Sequence, residues 1–322
     1  MQPYIFTPSI QKFKTLTLSP QHTTPTKKPE PQYTKDLYHQ IEPLPNFNLS
    51  ATPPLKLRPF RPTYHMTMAI ENTSLSDLIA MDNTFAERCQ IRKALIQKER
   101  YEVLACNPIA RPAVLELYTW LTSTYLPTRF PTIYHTTATA KTLLNTVTGE
   151  HSPLHLDESD AETALQLLGS NIDTEFFILL PITNTTNTPP QDPQKYRLEA
   201  FVNCTPSGFN TRSKLNLLLS DIHTPVPGYA QKLEKSMDRY FASLPTGKIV
   251  KRANWSISTN GQLFCLAGNH MSAEELKRKG EMEEEIDLNR TVLRCERQTL
   301  HRLHETGALV FAFVSREIEN GG

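Results

Sequence analysis

The sequence predicts an α+β protein in which helices precede and flank an antiparallel sheet. Three observations indicate this class. Apolar residues recur at helical spacing between Ser76 and Ile172, whereas from Glu175 onward the spacing changes to that of strands. Strands and helices do not alternate as they do in a parallel βαβ sheet. Finally, Asn260-Gly261 is a turn sequence typical of hairpins between antiparallel strands.

Residues 1–54 are predicted to form a disordered tail or linker. They are rich in proline, threonine and lysine and lack sustained apolar periodicity. The folded domain is placed at residues 55–322, with its sheet at about residues 175–315. Residues 1–29 contain no acidic residue, as in organellar transit peptides, but they also contain no arginine. A transit peptide is therefore not favoured.

Three helices are predicted before the sheet. The first follows Ser76, the second begins at Pro112, and the third follows the capping sequence Ser159-Asp160-Ala161-Glu162. Their apolar stripes are predicted to form the core. Another apolar stripe predicts a helix after His223, and a charged helix is expected at Glu274 to Asp287.

Six strands are predicted, at residues 175–182, 196–204, 249–259, 262–267, 290–299 and 308–315. In the second of these, alternation would place Leu198 and Ala200 on one face and Glu199 on the other. In the fifth, the same rule separates Arg294 from Arg297.

Composition excludes several classes of partner. The formal net charge is +1, so no field of one sign attracts nucleic acid or anionic lipid. The five cysteines are scattered and form no C-x-x-C pair, which argues against a disulfide framework or a structural zinc site. No apolar run approaches the roughly 18 residues of a membrane span. We expect a reducing compartment, the cytoplasm.

Common nucleotide and hydrolase motifs are absent from the sequence. It contains no G-x-G-x-x-G, no G-x-x-x-x-G-K-[ST] and no G-x-S-x-G. A dinucleotide site, a P-loop and a hydrolase nucleophile elbow therefore have no support.

His223 is the first candidate functional residue. It lies between the apolar run Leu217-Leu218-Leu219 and the prolines Pro225 and Pro227, which restrict the backbone around it. Such rigid presentation suits an axial metal or heme ligand. The alternative is a histidine that simply ends a strand.

Two further clusters combine polar groups with unusual neighbours. One is Arg252-Ala253-Asn254-Trp255, and the other is the stretch from Arg294 to Leu303. An inward-facing Arg297 beside cysteine and threonine would require an anion, such as a heme propionate or a carboxylate. The alternative is a cross-strand ion pair on a solvated face.

At these residues the sequence resembles the heme-dependent oxidative N-demethylase alpha-subunit-like family, including its fungal HRQ-type members. The resemblance covers about Leu55 to Ser315. Six ordered blocks carry it: Arg61-Pro62-x-Tyr64-His65-Met66-Thr67-Met68, Met81-Asp82-Asn83-Thr84-Phe85 with Arg88, Tyr125-Leu126-Pro127-x-Arg129-Phe130-Pro131, Ile222-His223-x-Pro225-Val226-Pro227-Gly228-Tyr229, Arg252-x-Asn254-Trp255, and Arg294-x-Glu296-Arg297-Gln298-Thr299-Leu300-x-Arg302-Leu303.

The resemblance implies a PAS-like sheet that binds heme b and oxidises a small secondary amine with oxygen. Electrons would come from a separate flavin and iron-sulfur reductase. It implies that His223 is the axial iron ligand and that Lys214, Arg252, Trp255 and Arg297 bind the cofactor. Glu199 would hold an ammonium substrate, and Arg297 would also act at the reacting centre.

The sequence departs from the family pattern at three positions. His304 stands where proline is expected, and Ala69 and Leu78 stand where glycine and tryptophan are common. The chain also ends early relative to the family. These departures leave open a non-catalytic PAS-like sensor or scaffold, or a truncated paralogue.

Overall fold

A seven-stranded antiparallel sheet organises the structure. The computed structural model describes residues 34–55, 67–137, 139–182, 193–226, 228–258, 261–267 and 291–318. Its strands are β1 (Glu71–Thr73), β2 (Leu104–Cys106), β3 (Tyr134–Thr137), β4 (Thr142–Asn145), β5 (Glu150–Pro153), β6 (Glu175–Pro181), β7 (Tyr196–Val202), β8 (Ile249–Ser258), β9 (Val292–Arg302) and β10 (Leu309–Ile318). The large sheet has the order β1-β8-β9-β10-β6-β7-β2, and β3, β4 and β5 form a second, antiparallel sheet.

The helices lie before the large sheet and between its strands. They are α1 (Phe85–Lys98), α2 (Arg100–Val103), α3 (Arg111–Trp120), α4 (Leu126–Arg129), α5 (Ala161–Asn171), α6 (Leu219–Ile222), α7 (Tyr229–Lys232) and α8 (Glu234–Ser243). A π-helical turn, Leu121–Tyr125, connects α3 to α4. The α+β class is thus confirmed.

The two faces of the large sheet carry different cores. The first, here called the helix face, packs against α1, α3 and α5 through alternate strand residues such as Phe176, Ile178, Val202 and Val310. The second, here called the His223 face, carries the intervening residues and packs against α6, α7 and α8. Because side chains alternate along a strand, each strand contributes to both cores.

A β-bulge between Ile178 and Leu179 changes the alternation in β7. Leu198 pairs with Leu179 and packs with Phe201, whereas Ala200 packs on the helix face. The prediction that Leu198 and Ala200 share a face is therefore wrong. A bulge adds a residue to one strand and reverses the facing of the residues beyond it, and simple alternation cannot anticipate it.

The predicted hairpin at Asn260-Gly261 is also not formed as expected. Its second strand was placed at residues 262–267, where the structure has only an isolated bridge between Cys265 and Ser207. β8 pairs instead with β9 in a continuous antiparallel register. Asn260 and the predicted charged helix lie outside the described residues.

Residues 34–54 lie in the predicted tail, yet part of this segment is buried. Tyr38 is 1% exposed, and its ring packs edge-on against Trp120 with a centroid separation of 5.1 Å. The Tyr38 hydroxyl also donates a hydrogen bond to the Arg302 carbonyl. Ile41 belongs to the same core. These contacts attach the segment to the helices and to β9.

A buried ion pair connects α1 to the sheet. Arg92 of α1 pairs with Glu175 of β6, and both side chains are 1% exposed. Arg92 also donates to the carbonyls of Gly169 and Thr174, while Glu175 accepts hydrogen bonds from the Cys204 amide and the Thr205 hydroxyl. The charges are therefore both paired and hydrogen-bonded, as burial requires.

Within the described ranges, no helix combines the length and the apolar content needed to cross a bilayer.

Candidate functional site

His223 is positioned by residues 216–218, which contact β7 through backbone hydrogen bonds. The Leu198 amide donates to the Leu217 carbonyl at 3.1 Å, and the Asn216 amide donates to the Leu198 carbonyl at 2.9 Å. The single turn of α6 follows at once and ends at His223. This anchoring fixes where α6 begins and therefore where the imidazole lies.

The imidazole of His223 is held in one tautomer. Its Nδ1 lies 2.7 Å from the Leu219 carbonyl oxygen, which can only accept a hydrogen bond, so Nδ1 carries the proton. Nε2 therefore keeps its lone pair. A backbone carbonyl that accepts from the second ring nitrogen is the usual support of a metal-binding histidine.

Tyr229 fixes the plane of the same ring. The Tyr229 and His223 rings stack with a centroid separation of 4.9 Å and an interplanar angle of 17°. Tyr229 is 2% exposed and belongs to the core of the His223 face. The imidazole is thus restrained by one hydrogen bond and one stacked ring, and neither contact uses Nε2.

The surroundings of His223 favour the neutral imidazole. Burial lowers the pKa of His223, and the positive charges of Arg252 and Lys214 lower it further, against the opposing effect of the Leu219 hydrogen bond. Burial also lowers the pKa of Lys214. A neutral imidazole is the form that binds a metal, and the two cations supply positive charge for an anionic group nearby.

The sheet presents an aromatic surface on the His223 face. Phe177 contacts Phe201, Phe311 and Phe313 with ring centroids 5.4 to 6.3 Å apart. Ile222 packs against this group, and Phe177 and Phe311 remain partly exposed. An apolar sheet surface that is only partly covered is suited to an apolar planar ligand.

Arg252 lies on this same face. It is paired across the strands with Gln298 of β9, which in turn is paired with Phe313 of β10. Directly paired residues point to the same side of a sheet. The structure therefore brings Arg252, Lys214 and His223 together.

The structure does not bring Arg297 and Trp255 to that face. Arg297 points to the helix face, where it donates to the carbonyls of Asp77 and Leu78 and pairs with the Asp77 carboxylate at 3.0 Å. Trp255 points to the same side as Arg297 and is 45% exposed. The anion that the sequence required beside Arg297 is thus a carboxylate of the same chain.

Glu199 is 6% exposed and lies in the bulged part of β7. Its carboxylate accepts a hydrogen bond from Asn107 Nδ2 at 2.6 Å and lies 3.9 Å from the Arg197 guanidinium. The same Asn107 amide donates to Asn216 Oδ1. These contacts connect β7 to the segments on either side of it.

The residues on the His223 face match the requirements of a heme. A porphyrin supplies four iron ligands, so the protein needs only one axial side chain, an apolar surface and cations for the propionates. In the part of the chain that the structure describes, no group of three or more His, Cys, Asp or Glu side chains could hold a metal by itself. His223, the phenylalanine surface, Arg252 and Lys214 match the heme pattern instead.

Three parts of the site were not identified from the sequence as site residues: the Leu219 carbonyl, the ring of Tyr229 and the phenylalanines of β6 and β10. The spacing of four between Leu219 and His223 is a usable signal, because one helical turn brings a carbonyl to the side chain four residues later. The aromatic surface gives no such signal, since it requires the strand order.

The chain matches a known protein family. Residues 69–315, more than half of the chain, match the family described as Haem-dependent oxidative N-demethylase, alpha subunit-like. No curated protein matches the chain. The matched segment contains His223, Arg252, Lys214 and the strands that carry the phenylalanine surface. The chain belongs to the heme-dependent oxidative N-demethylase alpha subunit-like family.

Proposed function

We propose that the protein binds one heme b on the His223 face and removes a methyl group from a small secondary amine by oxidation. The observation that carries this proposal is the hydrogen bond from His223 Nδ1 to the Leu219 carbonyl, which leaves Nε2 free to bind iron. The family match supports the heme and the N-demethylase reaction class.

His223 would be the axial ligand, and Tyr229 would hold its ring in place. Arg252 and Lys214 would bind the propionates, because both lie close enough to His223 for their positive charges to lower its pKa. The partly exposed rings of Phe177 and Phe311 would contact the porphyrin and exclude water from it. When bound, the heme would supply the oxygen activation, which no amino-acid side chain provides.

The roles of Glu199, Arg297 and Trp255 are narrower proposals. Glu199 is a buried carboxylate on the strand beside the aromatic surface, so it could hold an ammonium group if Asn107 released it. Arg297 and Trp255 would act on a bound heme only through the sheet, because both point to the other side. Arg297 holds the Asp77 carboxylate on the helix face.

The overall reaction requires an electron source outside this chain. Dimethylamine, oxygen, two electrons and two protons would give methylamine, formaldehyde and water. We propose that a separate flavin and iron-sulfur reductase delivers the electrons.

Turnover by the heme-reconstituted full-length protein tests this function. With dimethylamine and a flavin and iron-sulfur reductase, we expect one formaldehyde for each oxygen consumed. The His223→Ala variant should release none. Tight heme binding without amine-dependent oxygen consumption would contradict the enzymatic proposal.

A non-catalytic heme sensor or scaffold is the second candidate. It is favoured by one observation: Glu199 and Arg297, the residues with implied reactive roles, are both engaged in contacts within the chain. A sensor would bind heme through His223 and show no turnover, so the same experiment separates the two functions.

A further inference from the structure

A cavity of about 250 Å³ lies on the helix face of the sheet, away from His223. Its sheet wall consists of Cys295, Arg297, Val314 and Arg316, which alternate along β9 and β10 with residues that point to the His223 face. Heme bound at His223 would therefore not fill this cavity.

Three of the six sequence blocks meet at this cavity. Met81 and Asp82 come from the block before α1, Arg129 and Phe130 from the block at α4, and Arg297 from the block in β9. The proposed heme function uses none of these residues directly. The cavity is a distinct structural feature with its own charges.

Two of the three arginines at the cavity have carboxylate partners. Arg297 pairs with Asp77 at 3.0 Å. Arg316 pairs with Asp82 at 2.7 Å and with Asp173 at 2.8 Å. These pairs neutralise the acidic side chains of the cavity wall.

Arg129 is different. Its Nη1 donates to the Glu42 carbonyl at 2.6 Å, and among the described residues no carboxylate lies within 4 Å of its guanidinium. Its Nε has no hydrogen-bond partner there, and Nη2 makes none either. Arg129 therefore brings to the cavity wall a positive charge that no carboxylate of the described residues pairs, and guanidinium groups bind carboxylates well.

The remaining wall is largely apolar. It is formed by side chains of the segment 44–55, of the loop before α1 and of the strands: Leu44, Phe47, Ile79, Met81, Phe130 and Val314. The volume is below the roughly 300–1,000 Å³ of drug-sized sites. A suitable ligand is thus small, apolar at one end and negatively charged at the other.

We propose that this cavity binds a small aliphatic or aromatic carboxylic acid, with the carboxylate on Arg129 and the apolar body against Phe47, Phe130 and Val314. The pairing supplies Arg129 with the carboxylate that the described part of the chain does not provide. The site is independent of the heme proposal, because it lies on the opposite face of the sheet.

Calorimetric titration of the full-length protein with octanoate tests the proposal. We expect one binding site, an affinity at least about tenfold weaker in Arg129→Gln, and equally weak binding of the neutral analogue octanol. Ala80→Phe, which fills the cavity from its wall, should abolish binding. Arg212→Gln is the matched control, since Arg212 is also half-buried and donates only to carbonyls.

His223→Ala should bind octanoate like the wild type, which distinguishes this cavity from the heme face. Circular dichroism establishes that each variant is folded. Absence of octanoate binding by the wild type, or equal affinity in Arg129→Gln and the wild type, would overturn the proposal. Loss of binding in His223→Ala alone would assign the acid to the heme face and also overturn it.

Discussion

Arg252 and Arg297 lie on opposite faces of the same pair of strands. Arg252 of β8 is paired with Gln298, and Arg297 of β9 is paired with Ala253. Arg252 therefore faces the segment that carries His223, whereas Arg297 holds Asp77 on the helix face. Two arginines from neighbouring sequence motifs thus point to opposite sides of the sheet.

Substitution of these two arginines should separate heme affinity from stability. In Arg252→Gln we expect the heme dissociation constant to rise about tenfold, because one charge-assisted contact to a propionate is lost. In Arg297→Gln we expect unchanged heme affinity and a lower free energy of unfolding, since Asp77 loses a partner. Hemin titration and urea unfolding measure the two effects. Weaker heme binding in Arg297→Gln alone would reverse the assignment.

The buried ion pair of Arg92 and Glu175 should contribute more to the free energy of unfolding than an exposed ion pair does. Arg92→Met would leave the Glu175 carboxylate buried without its cation, at a cost of about 3–5 kcal/mol. The neighbouring Lys93→Met is the control. It breaks an ion pair with Glu150 in which both side chains are at least 39% exposed, so its cost should be below about 1 kcal/mol. Similar urea midpoints for the two variants would contradict this reasoning.

The sequence allowed the α+β class and most strands to be predicted, because both rest on local periodicity. The role of His223 as a ligand, which rests on local stiffness, stays a prediction. The sequence did not allow the bulge in β7 or the partner of β8 to be predicted. Both depend on contacts between residues far apart in the chain. Strand alternation correctly predicted that Arg294 and Arg297 point to opposite faces of the sheet. Which of these faces carries His223 could be determined only from the strand order.

The pH dependence of stability should depend on His301. This residue is completely buried, neither ring nitrogen has a hydrogen-bond partner among the described residues, and burial lowers its pKa to about 3. In the unfolded chain its pKa is about 6.5. Between these values the unfolded chain binds a proton that the folded protein does not, so the free energy of unfolding falls as the pH is lowered. From pH 7 to pH 5 the loss is about 2 kcal/mol.

His301→Leu removes this titration and should make stability less sensitive to acid. Urea unfolding at pH 7, 6 and 5 measures the effect. The exposed His135 provides the control variant, His135→Leu, which should keep the dependence of the wild type. If His301→Leu and the wild type lose stability in parallel, then His301 is not the group responsible.

Gly169 of α5 should not tolerate a side chain. A Cβ at this position would lie 2.7 Å from Val202 Cγ2 and 2.9 Å from Ile96 Cδ1. Although alanine is the better helix former, we expect Gly169→Ala to destabilise the protein by about 1–3 kcal/mol, because overpacking outweighs helix propensity. Ser170→Ala, one residue further, changes the same helix without adding atoms and should alter stability by less than about 1 kcal/mol. A higher melting temperature for Gly169→Ala would contradict close packing of α5 on β7.

The visible absorption spectrum of the full-length protein after addition of hemin tests most directly whether His223 binds the iron. We expect a Soret band characteristic of a histidine-ligated heme in the wild type, a shifted and weakened band in His223→Ala, and restoration when free imidazole is added to that variant. A spectrum of His223→Ala identical to that of the wild type, or no Soret band in either protein, would contradict the account.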